Sequence, residues 1–472
     1  MSNQPLTMTT PPSDRPLTVS PASVLEKIGH TPLMEVTRLD TGLCRLFLKL
    51  EDRNPGGSIK DRVALSMIEA AERDGRLRPG GTIVEATAGN TGLGLALVGV
   101  AKGYRVALVI PDKMSPEKVL HLRALGAEVT WTRSDVSKGH PAYYQDLAAR
   151  LAAATPGAFY IDQFNNPANP LAHETTTGPE IWEQMNGEVD AVVVGVGSGG
   201  TLSGLGRFFK RHNPDIEMVL SDPAGSVLAE YVRTGSIGAA GAWAVEGIGE
   251  DFVPANAEMS LVSEAFTVSD RESFDAARLL LKTEGVLAGS SSGALLAAAL
   301  RYCRRQTRPK RVVTLVCDSG AKYLSRMFND FWMSEQGFLQ RQRAGDLRDL
   351  VARRHDAGEV VSVAPDDPLT VAFKRMRGAE VSQLPVLSGG RLVGLLDEDD
   401  LLARLGAAPG NFNTPVSSAM ARNLETIAPD KSLAELAAVF DRGHIAIVEE
   451  QEQFYGLITR SDLLAYLYRL QD

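Results

Sequence analysis

The 472-residue sequence contains little cysteine, few aromatic residues and no excess of basic residues. Its three cysteines, Cys44, Cys303 and Cys317, are an odd number without the spacing of metal ligands, so we expect no metal site and predict a reducing, cytoplasmic environment. The formal net charge of -9 excludes a broad basic surface for nucleic acid. Apolar runs stay shorter than the roughly 18 residues that a membrane span needs, so we expect no membrane-embedded segment.

Hydrophobic residues make up 44% of the chain and charged residues 23%, which is typical of a folded protein with a large core. A chain of 472 residues predicts two or three domains. Residues 1–23 are rich in Pro, Thr and Ser and lack a targeting pattern, so we predict a flexible arm there. A catalytic domain is predicted at 24–335, a polar linker at 336–358 and a second module at 359–472.

Short runs of β-branched residues alternate with alanine- and leucine-rich helical stretches between residues 82 and 320. The predicted strands are 82–86, 105–110, 128–132, 158–162, 191–196 and 312–317. Apolar strands that alternate with helices predict an α/β fold with parallel sheets covered on both faces. Ligands of such sheets bind at the carboxyl ends of the strands, so the turns after these strands are the candidate functional segments.

One lysine follows a glycine-rich turn. The segment 54–62 reads Asn-Pro-Gly-Gly-Ser-Ile-Lys-Asp-Arg and puts Lys60 between a strand-like run, 45–50, and a helical run, 63–73. A lysine held by rigid elements near the positive end of a helix dipole has a lowered pKa. The lowered pKa frees the amine lone pair for carbonyl chemistry, so Lys60 is the candidate catalytic residue.

Two glycine-containing turns follow predicted strands. Residues 87–92, Thr-Ala-Gly-Asn-Thr-Gly, would present backbone N–H groups at a helix N-terminus, which is a favourable anion site. Residues 195–204, Gly-Val-Gly-Ser-Gly-Gly-Thr-Leu-Ser-Gly, carry four glycines within six positions, which lets successive N–H groups surround an anion. This second run lacks both the lysine of a P-loop and the usual dinucleotide spacing, so it favours a phosphate monoester.

Taken together, these segments predict a single ligand. They offer an amine at Lys60 for an aldehyde, a phosphate cradle at 197–201 and an amide at Asn90 for a ring oxygen. Ser319, in the turn Asp-Ser-Gly after the strand 312–317, offers a partner for a ring nitrogen. Pyridoxal 5′-phosphate carries all of these groups and supplies an electron sink, so it is the predicted cofactor.

Over residues 24–335 these motifs resemble the fold-type II pyridoxal-phosphate enzymes of β-replacement, the cysteine synthase and cystathionine β-synthase group. The resemblance implies two parallel-sheet α/β subdomains and an internal aldimine at Lys60. It also implies that Asn90 bonds the ring hydroxyl and that Ser319 bonds the pyridine nitrogen. The implied cofactor-binding residues are Lys60, Asn90, Gly197, Ser198, Gly199, Gly200, Thr201 and Ser319. The implied substrate-binding residues are Thr87, Ala88, Gly89, Thr91 and Gln163, with Ala88 where the family usually has serine.

The resemblance also bears on the reaction. Segment 245–254 resembles the acidic stretch of cystathionine β-synthases and adds Glu246 and Gly247 to the substrate-binding residues, whereas segment 173–182 is more similar to cysteine synthases. The favoured activity is a carbon–oxygen lyase that condenses L-serine with L-homocysteine to cystathionine and water through an aminoacrylate, in transsulfuration. A cysteine synthase that uses O-acetylserine and sulfide stays the alternative. Some cystathionine β-synthases bind haem through an N-terminal Cys and His. In this sequence no cysteine precedes Cys44, so haem is not expected.

An internal repeat follows the predicted linker. Val-Ala-Pro-Asp at 363–366 returns as Ile-Ala-Pro-Asp at 427–430, which is 64 residues later. The repeat resembles a tandem pair of CBS motifs, predicted at 359–407 and 416–470. It implies an adenosyl ligand such as AMP, ATP or S-adenosylmethionine, with Thr459 and Asp462 at the sugar hydroxyls. A purely structural dimerisation module and a non-catalytic adenosyl sensor stay open, and we expect a homodimer or homotetramer.

Overall fold

The computed structural model of the protein describes residues 23–87, 89–112, 114, 116–136, 139–339, 344–406 and 412–469. The predicted N-terminal arm, apart from Ser23, lies outside these residues. The chain divides between Asn329 and Asp330 into two compact units. Within the described ranges, no helix is long and apolar enough to cross a membrane.

Two sheets organise the first unit. Its strands are β1 (Leu33–Glu35), β2 (Arg45–Leu50), β3 (Thr82–Ala86), β4 (Arg105–Pro111), β5 (Glu128–Thr132), β6 (Ala158–Tyr160), β7 (Ala191–Gly195), β8 (Glu217–Pro223), β9 (Val262–Val268) and β10 (Arg311–Val316). The larger sheet has the order β1-β2-β10-β7-β8-β9, and its strand pairs are parallel except for β1 and β2. The smaller sheet has the order β5-β4-β3-β6 and is parallel throughout. The predicted α/β class with two parallel sheets is confirmed.

Helices cover the faces of these sheets. They are α1 (Lys60–Arg73), α2 (Asn90–Ala101), α3 (Pro116–Ala124), α4 (Tyr144–Ala154), α5 (Ala168–Ala172), α6 (Gly178–Gln184), α7 (Gly200–His212), α8 (Leu228–Thr234), α9 (Asp270–Glu284) and α10 (Ser290–Arg304), with a π-helical turn at His173–Thr177. In the smaller sheet, Ile83 and Leu108 belong to the core formed with α1 and α2, while Val84 and Val109 belong to the core on the α4 side. Because both faces are buried, these strands are apolar at consecutive positions rather than at every second one.

Local sequence signals position the helices that matter for the site. α1 begins at Lys60, three residues after Gly57, whose φ of 70° is in the left-handed region that glycine adopts without steric cost. α9 begins with a capping box in which Ser269 and Glu272 each bond the other's backbone N–H. The turns after β3, β7 and β10 lead into the segments that carry the candidate residues.

The second unit contains the repeat. Its elements are α11 (Asp330–Glu335), a 3₁₀ helix (Leu347–Leu350), α12 (Leu369–Ala379), β11 (Gln383–Ser388), β12 (Arg391–Asp397), α13 (Glu398–Gly406), β13 (Thr426–Ile427), α14 (Leu433–Asp441), β14 (Ala446–Glu450), β15 (Gln453–Ile458) and α15 (Arg460–Arg469). In the second repeat β13 pairs parallel with β14, which pairs antiparallel with β15. In the first repeat the leading strand is reduced to a single bridge between Val363 and Val386.

Part of the predicted linker is packed. Leu347, Leu350 and Val351 are buried and join the core of the second repeat, and Leu347 N donates to Pro429 O at 2.9 Å. The sequence gives little indication of this packing because the three apolar residues are interspersed with charged ones. Residues 340–343 of the predicted linker lie outside the described residues.

Candidate active site

Lys60 lies where the end of β10 meets the turn before α1. Ile59 N donates to Cys317 O at 2.9 Å, and Ser58 forms a β-bridge with Asp318. The Lys60 side chain is partly exposed at its surface, yet the protein surrounds it closely, and this burial lowers the pKa of its amine. Its Nζ makes no hydrogen bond or salt bridge with the residues that the structure describes. The amine is therefore available for carbonyl chemistry.

The glycine loop 197–201 joins β7 to α7. Gly199 adopts a φ of 87°, and a Cβ there would lie 2.6 Å from Ala257 N, so only glycine fits without a shift of the backbone. None of the five backbone N–H groups of this loop donates a hydrogen bond to a described residue. Open donors at the N-terminus of a 13-residue helix form a site for a phosphate.

Side chains beneath the loop orient its hydroxyl groups. Asn169 Nδ2 donates to Ser198 Oγ at 2.9 Å, and His173 Nε2 lies 3.3 Å from Thr201 Oγ1. Burial lowers the pKa of His173 well below its usual value, so the ring is neutral and has one donor and one acceptor nitrogen. Its Nδ1 lies 3.0 Å from Thr177 Oγ1, so each ring nitrogen has a hydrogen-bond partner.

Asn90, the first residue of α2, faces the turn after β10. Its Nδ2 donates to Asp318 Oδ2 at 2.7 Å, and its Oδ1 accepts from Lys322 Nζ at 2.8 Å. Ser319 lies on the same turn, where its backbone N donates to Gly57 O at 3.1 Å. The structure thus brings the segments of Lys60, Asn90 and Ser319 together. Their roles toward the cofactor stay predictions.

The predicted substrate loop contacts Gln163. Thr91 Oγ1 donates to Gln163 Oε1 at 2.7 Å, and Gly89 N donates to Thr87 Oγ1 at 3.1 Å. Thr87, Thr91 and Gln163 are buried, so their polar groups form a preorganised set rather than a solvated loop. Ala88 lies outside the described residues.

A buried carboxyl group supports this loop from below. Glu85, in β3, accepts from Ala86 N at 2.7 Å and from Gln163 N at 3.1 Å. Burial raises the pKa of Glu85 to about 8, although these two hydrogen bonds act against the rise. The sequence predicts Glu85 only as a strand residue, since the pattern of a strand does not reveal that a carboxyl group near the end of that strand is buried.

Glu246 is paired with two cations rather than with water. Its Oε2 accepts from Lys118 Nζ at 2.5 Å and its Oε1 from Arg326 Nη1 at 2.7 Å. The Glu246 side chain keeps 19% of its surface exposed. Gly247 O lies next to the glycine loop, where a Cβ on Gly197 would come within 2.6 Å of it.

A hydrogen-bond network continues from Glu246 to Asn90. Lys118 Nζ donates to Tyr323 OH at 3.1 Å, and Tyr323 OH donates to Asp318 Oδ2 at 2.8 Å, the same oxygen that Asn90 contacts. Sequence reasoning missed Lys118, Tyr323, Arg326 and Lys322 as site residues. Lys118 lies in α3, Lys322 and Tyr323 lie in the 3₁₀ helix Gly320–Tyr323, and Arg326 lies in the turn after it, and none of these segments carries a recognisable site motif.

The second unit has a cavity of its own of about 580 Å³. Both repeats line it, and the lining residues include Val361, Gln383, His444, Thr459 and Asp462. Thr459 Oγ1 donates to Asp462 Oδ2 at 2.6 Å, so the two predicted sugar-binding residues lie together at the start of α15. A cavity of this size accommodates a ligand as large as a nucleotide.

The residues of the first unit fit pyridoxal 5′-phosphate. Five open N–H donors match a phosphate, an unpaired amine with a lowered pKa matches an aldehyde, and the Asn90 amide has one N–H left for a ring oxygen. Lys60, the loop 197–201, Asn90 and Ser319 would hold the cofactor there.

Comparison with known proteins agrees with this fit. A family model described as pyridoxal-phosphate dependent enzyme matches residues 24–318, and a CBS domain model matches residues 348–407 and 416–469. The fold and the site therefore define a pyridoxal-phosphate-dependent enzyme with tandem CBS domains, and the predicted cofactor is confirmed. Within this class, the chain belongs to the cystathionine β-synthase family, as predicted.

Two cystathionine beta-synthases match nearly the whole chain. The cystathionine beta-synthase of Oryctolagus cuniculus is 36% identical over 465 residues, which are 94% of this chain and 84% of that protein. The cystathionine beta-synthase of Dictyostelium discoideum is 36% identical over 95% of this chain and 93% of its own length. The crystal structure of an O-acetylserine dependent cystathionine beta-synthase from Helicobacter pylori is 36% identical, with a TM-score of 0.60, over 65% of this chain and 98% of its own.

Proposed function

We propose that the protein condenses L-serine with L-homocysteine to cystathionine and water. The observation that carries the proposal is Glu246, whose side chain keeps 19% exposure although two cations pair with its carboxylate, and which precedes Gly247, whose carbonyl lies against the glycine loop. A carboxylate in that position attracts the α-ammonium group of a second amino acid. Sulfide has no such group, so the geometry favours homocysteine as the nucleophile.

The bound cofactor supplies an electron sink for the bonds at the α-carbon of serine. Lys60 Nζ takes the proton from that carbon, since burial lowers the pKa of its amine and so favours the neutral form that acts as a base. The same group then protonates the departing β-hydroxyl, which leaves as water. The thiol of homocysteine forms the new C–S bond at the β-carbon and gives its proton to Lys60 Nζ, which passes that proton to the α-carbon.

The substrate carboxylate is held by the loop after β3. The buried hydroxyl groups of Thr87 and Thr91 and the amide of Gln163 converge there. The N–H groups of the first two residues of α2 make no hydrogen bond with described residues and point from a helix N-terminus, where an anion is favoured. These groups orient serine so that its α-proton faces Lys60.

A spectroscopic titration tests the proposal. L-serine is added to the pyridoxal-phosphate-loaded protein while the visible spectrum is recorded, and L-homocysteine follows. We expect a new band with serine that disappears on addition of homocysteine. A band that forms only with O-acetylserine, and that sulfide but not homocysteine discharges, would instead make the protein a cysteine synthase.

Glu246→Gln is expected to separate the two nucleophiles. The variant keeps the size of the side chain but removes the charge that attracts the homocysteine ammonium group. We expect KM for homocysteine to rise about tenfold, with KM for serine nearly unchanged. Steady-state kinetics with homocysteine and with sulfide measure the difference. Asp251→Asn, an exposed carboxylate on the same segment, is the control and is expected to leave both constants unchanged. Equal losses with both nucleophiles would contradict the role of Glu246.

We further propose that the cavity of the second unit binds an adenosyl ligand such as AMP, ATP or S-adenosylmethionine. The supporting contacts are the Thr459–Asp462 pair on its lining and the participation of both repeats. In the first repeat the equivalent pair is Asp397 and Asp400, two carboxylates that contribute nothing to the lining. A sugar-binding role is therefore expected of the second repeat only.

Asp462→Ala tests this binding. Loss of the carboxylate removes an acceptor for the sugar hydroxyls, so we expect at least about tenfold weaker binding of the nucleotide that the wild-type protein prefers. Isothermal titration calorimetry of the full-length protein with AMP, ATP and S-adenosylmethionine gives the dissociation constants. Asp400→Ala is the matched control from the first repeat. Equal effects of the two substitutions, or no binding of any of the three ligands by the wild type, would contradict the assignment.

We also propose that the protein works as a cytoplasmic homodimer or homotetramer. Its cysteines are unpaired, and Cys44 and Cys303 are buried, as in proteins of a reducing compartment. Light scattering of the purified protein measures the number of subunits.

A further inference from the structure

A second lysine, Lys322, is buried beside the proposed cofactor site. It lies in the 3₁₀ helix Gly320–Tyr323 that follows β10, and only 8% of its surface is exposed. Its Nζ donates three hydrogen bonds, to Gly56 O at 3.0 Å, to Gly57 O at 3.1 Å and to Asn90 Oδ1 at 2.8 Å. One side chain thus contacts both the turn that leads to Lys60 and the amide at the start of α2.

These contacts require the protonated form of Lys322. All three partners are oxygen acceptors, and only an ammonium group has three hydrogens to donate. Burial and the nearby Lys118 ammonium group lower the pKa of Lys322, while the Asp318 and Asp61 carboxylates act in the opposite direction. Among the described residues, no carboxylate forms a salt bridge with Lys322. A buried cation without a direct ion-pair partner costs free energy, and groups of this kind concentrate at functional sites.

Lys322 determines which way the Asn90 amide points. Lysine can only donate and the Asp318 carboxylate can only accept, so Oδ1 must face Lys322 and Nδ2 must face Asp318. If the amide were flipped, Nδ2 would face the Lys322 ammonium group, which is also a donor, and Oδ1 would face the Asp318 carboxylate, which is also an acceptor. In the observed orientation one Nδ2 hydrogen is left for a ligand.

Lys322 also holds the turn before Lys60. It binds the carbonyl groups of Gly56 and Gly57, while Asp61 Oδ2 accepts from Gly56 N at 2.5 Å. The turn is therefore held through its carbonyl groups by Lys322 and through the Gly56 N–H group by Asp61. Gly57 has a left-handed φ, which favours glycine. Because glycine has no side chain, the contacts of the turn with Lys322 and Asp61 stabilise this conformation.

We propose that Lys322 is a positioning residue of the cofactor site, which fastens the Asn90 amide to the turn of Lys60 and stabilises negative charge on the ring oxygen that Asn90 bonds. The inference rests on the proposed role of Asn90 toward pyridoxal phosphate. Lys322 does not touch the reacting atoms. It acts through Asn90 and through the position of its charge.

The test compares Lys322→Met with Lys310→Met in the full-length protein. Lys310 is the control because it is 9% exposed, about as buried as Lys322, and lies next to the opposite end of β10, although, unlike Lys322, it has an ion-pair partner: its Nζ donates to Tyr302 OH at 2.7 Å and forms a salt bridge with Glu217. Both variants are stripped of cofactor, and their melting temperatures are measured. Pyridoxal phosphate is then titrated back, and the visible spectrum of the loaded protein is followed as a function of pH.

We expect Lys322→Met to raise the dissociation constant of pyridoxal phosphate at least about tenfold. We also expect the pH at which the bound cofactor titrates to move upward, because a cation near the ring oxygen has been removed. Lys310→Met is expected to lower the melting temperature without either effect. An unchanged dissociation constant and an unchanged titration in Lys322→Met would overturn the proposal.

A double-mutant cycle with Asn90→Ala separates positioning from general stability. Because Lys322 acts partly through Asn90, Lys322→Met is expected to weaken cofactor binding less in the Asn90→Ala background than in the wild type, whereas fully additive effects would overturn the proposal. If Lys322→Met does not fold, Lys322→Gln serves instead, since it keeps a donor but removes the charge and is expected to move the pH titration in the same direction. A wild-type protein without a Lys60-dependent visible band would contradict the proposed function itself rather than this inference alone.

Discussion

Replacing Lys60 with alanine is expected to lower kcat/KM for cystathionine formation by at least about 10³-fold. The substitution removes both the amine that meets the cofactor aldehyde and the base that moves the α-proton of serine. A positioned general base alone contributes about 10²- to 10⁴-fold to a rate. Steady-state kinetics and the visible spectrum of the reconstituted protein measure the two losses, and we expect the band of the lysine-bound cofactor to disappear.

Two further variants show whether charge or chemistry is lost. Lys60→Arg keeps the positive charge, but a guanidinium group stays protonated and serves neither as nucleophile nor as base, so it should be as inactive as Lys60→Ala. Lys282→Ala, an exposed lysine in α9, should retain full activity. Substantial activity in Lys60→Arg would assign Lys60 an electrostatic role only.

Arg62→Met is expected to destabilise the first unit by about 3–5 kcal/mol, because it leaves a buried carboxylate without its partner. Arg62 contacts Glu51 through Nε at 2.7 Å and through Nη2 at 2.9 Å, and it contacts Glu180 through Nη1 at 2.6 Å. The Glu51 side chain has no exposed surface and that of Arg62 has 2%. Chemical denaturation followed by circular dichroism measures the change in the free energy of unfolding.

The neighbouring charges explain why Arg62 matters for both carboxylates. Burial by itself would raise the pKa of Glu180, but hydrogen bonds from Arg62 and Lys49 outweigh it and lower that pKa to about 2. The matched control is Arg45→Met. Arg45 pairs with Glu35 at 2.7 Å on the surface, where ion pairs contribute little, so we expect almost no change in unfolding. Equal destabilisation by both substitutions would contradict this account.

Several elements could be predicted from the sequence because local patterns specify them. The strands β3 and β5 have the predicted bounds, since each is a short run of β-branched and apolar residues ended by a turn. The turns after β7 and β10 carry predicted candidate residues because parallel strands place their carboxyl ends at one edge of the larger sheet. The turn after β3, in the smaller sheet, meets the turn after β10 through the hydrogen bond between Asn90 and Asp318.

Other elements were not predicted. β8 has only a short apolar stretch before Ser221, Asp222 and Pro223, which read as a turn. β9 lies at the edge of its sheet, and its apolar residues alternate with exposed polar ones. Its hydrophobic pattern is therefore weaker than that of a central strand. The charged neighbours of Leu347–Leu350 predict a linker, whereas the structure packs this turn into the core of the second repeat.

The sequence by itself determined the α/β class and the cofactor, and it predicts the segments that would hold the cofactor, because glycine turns, strand ends and a lysine after a turn are local signals. Only the tertiary structure decided which side chains join these segments. Lys118 reaches Glu246 across 128 positions of the chain, and Lys322 reaches Asn90 across 232. Such contacts depend on how sheets and helices pack, and the hydropathy of a single segment carries no information about a partner so far away.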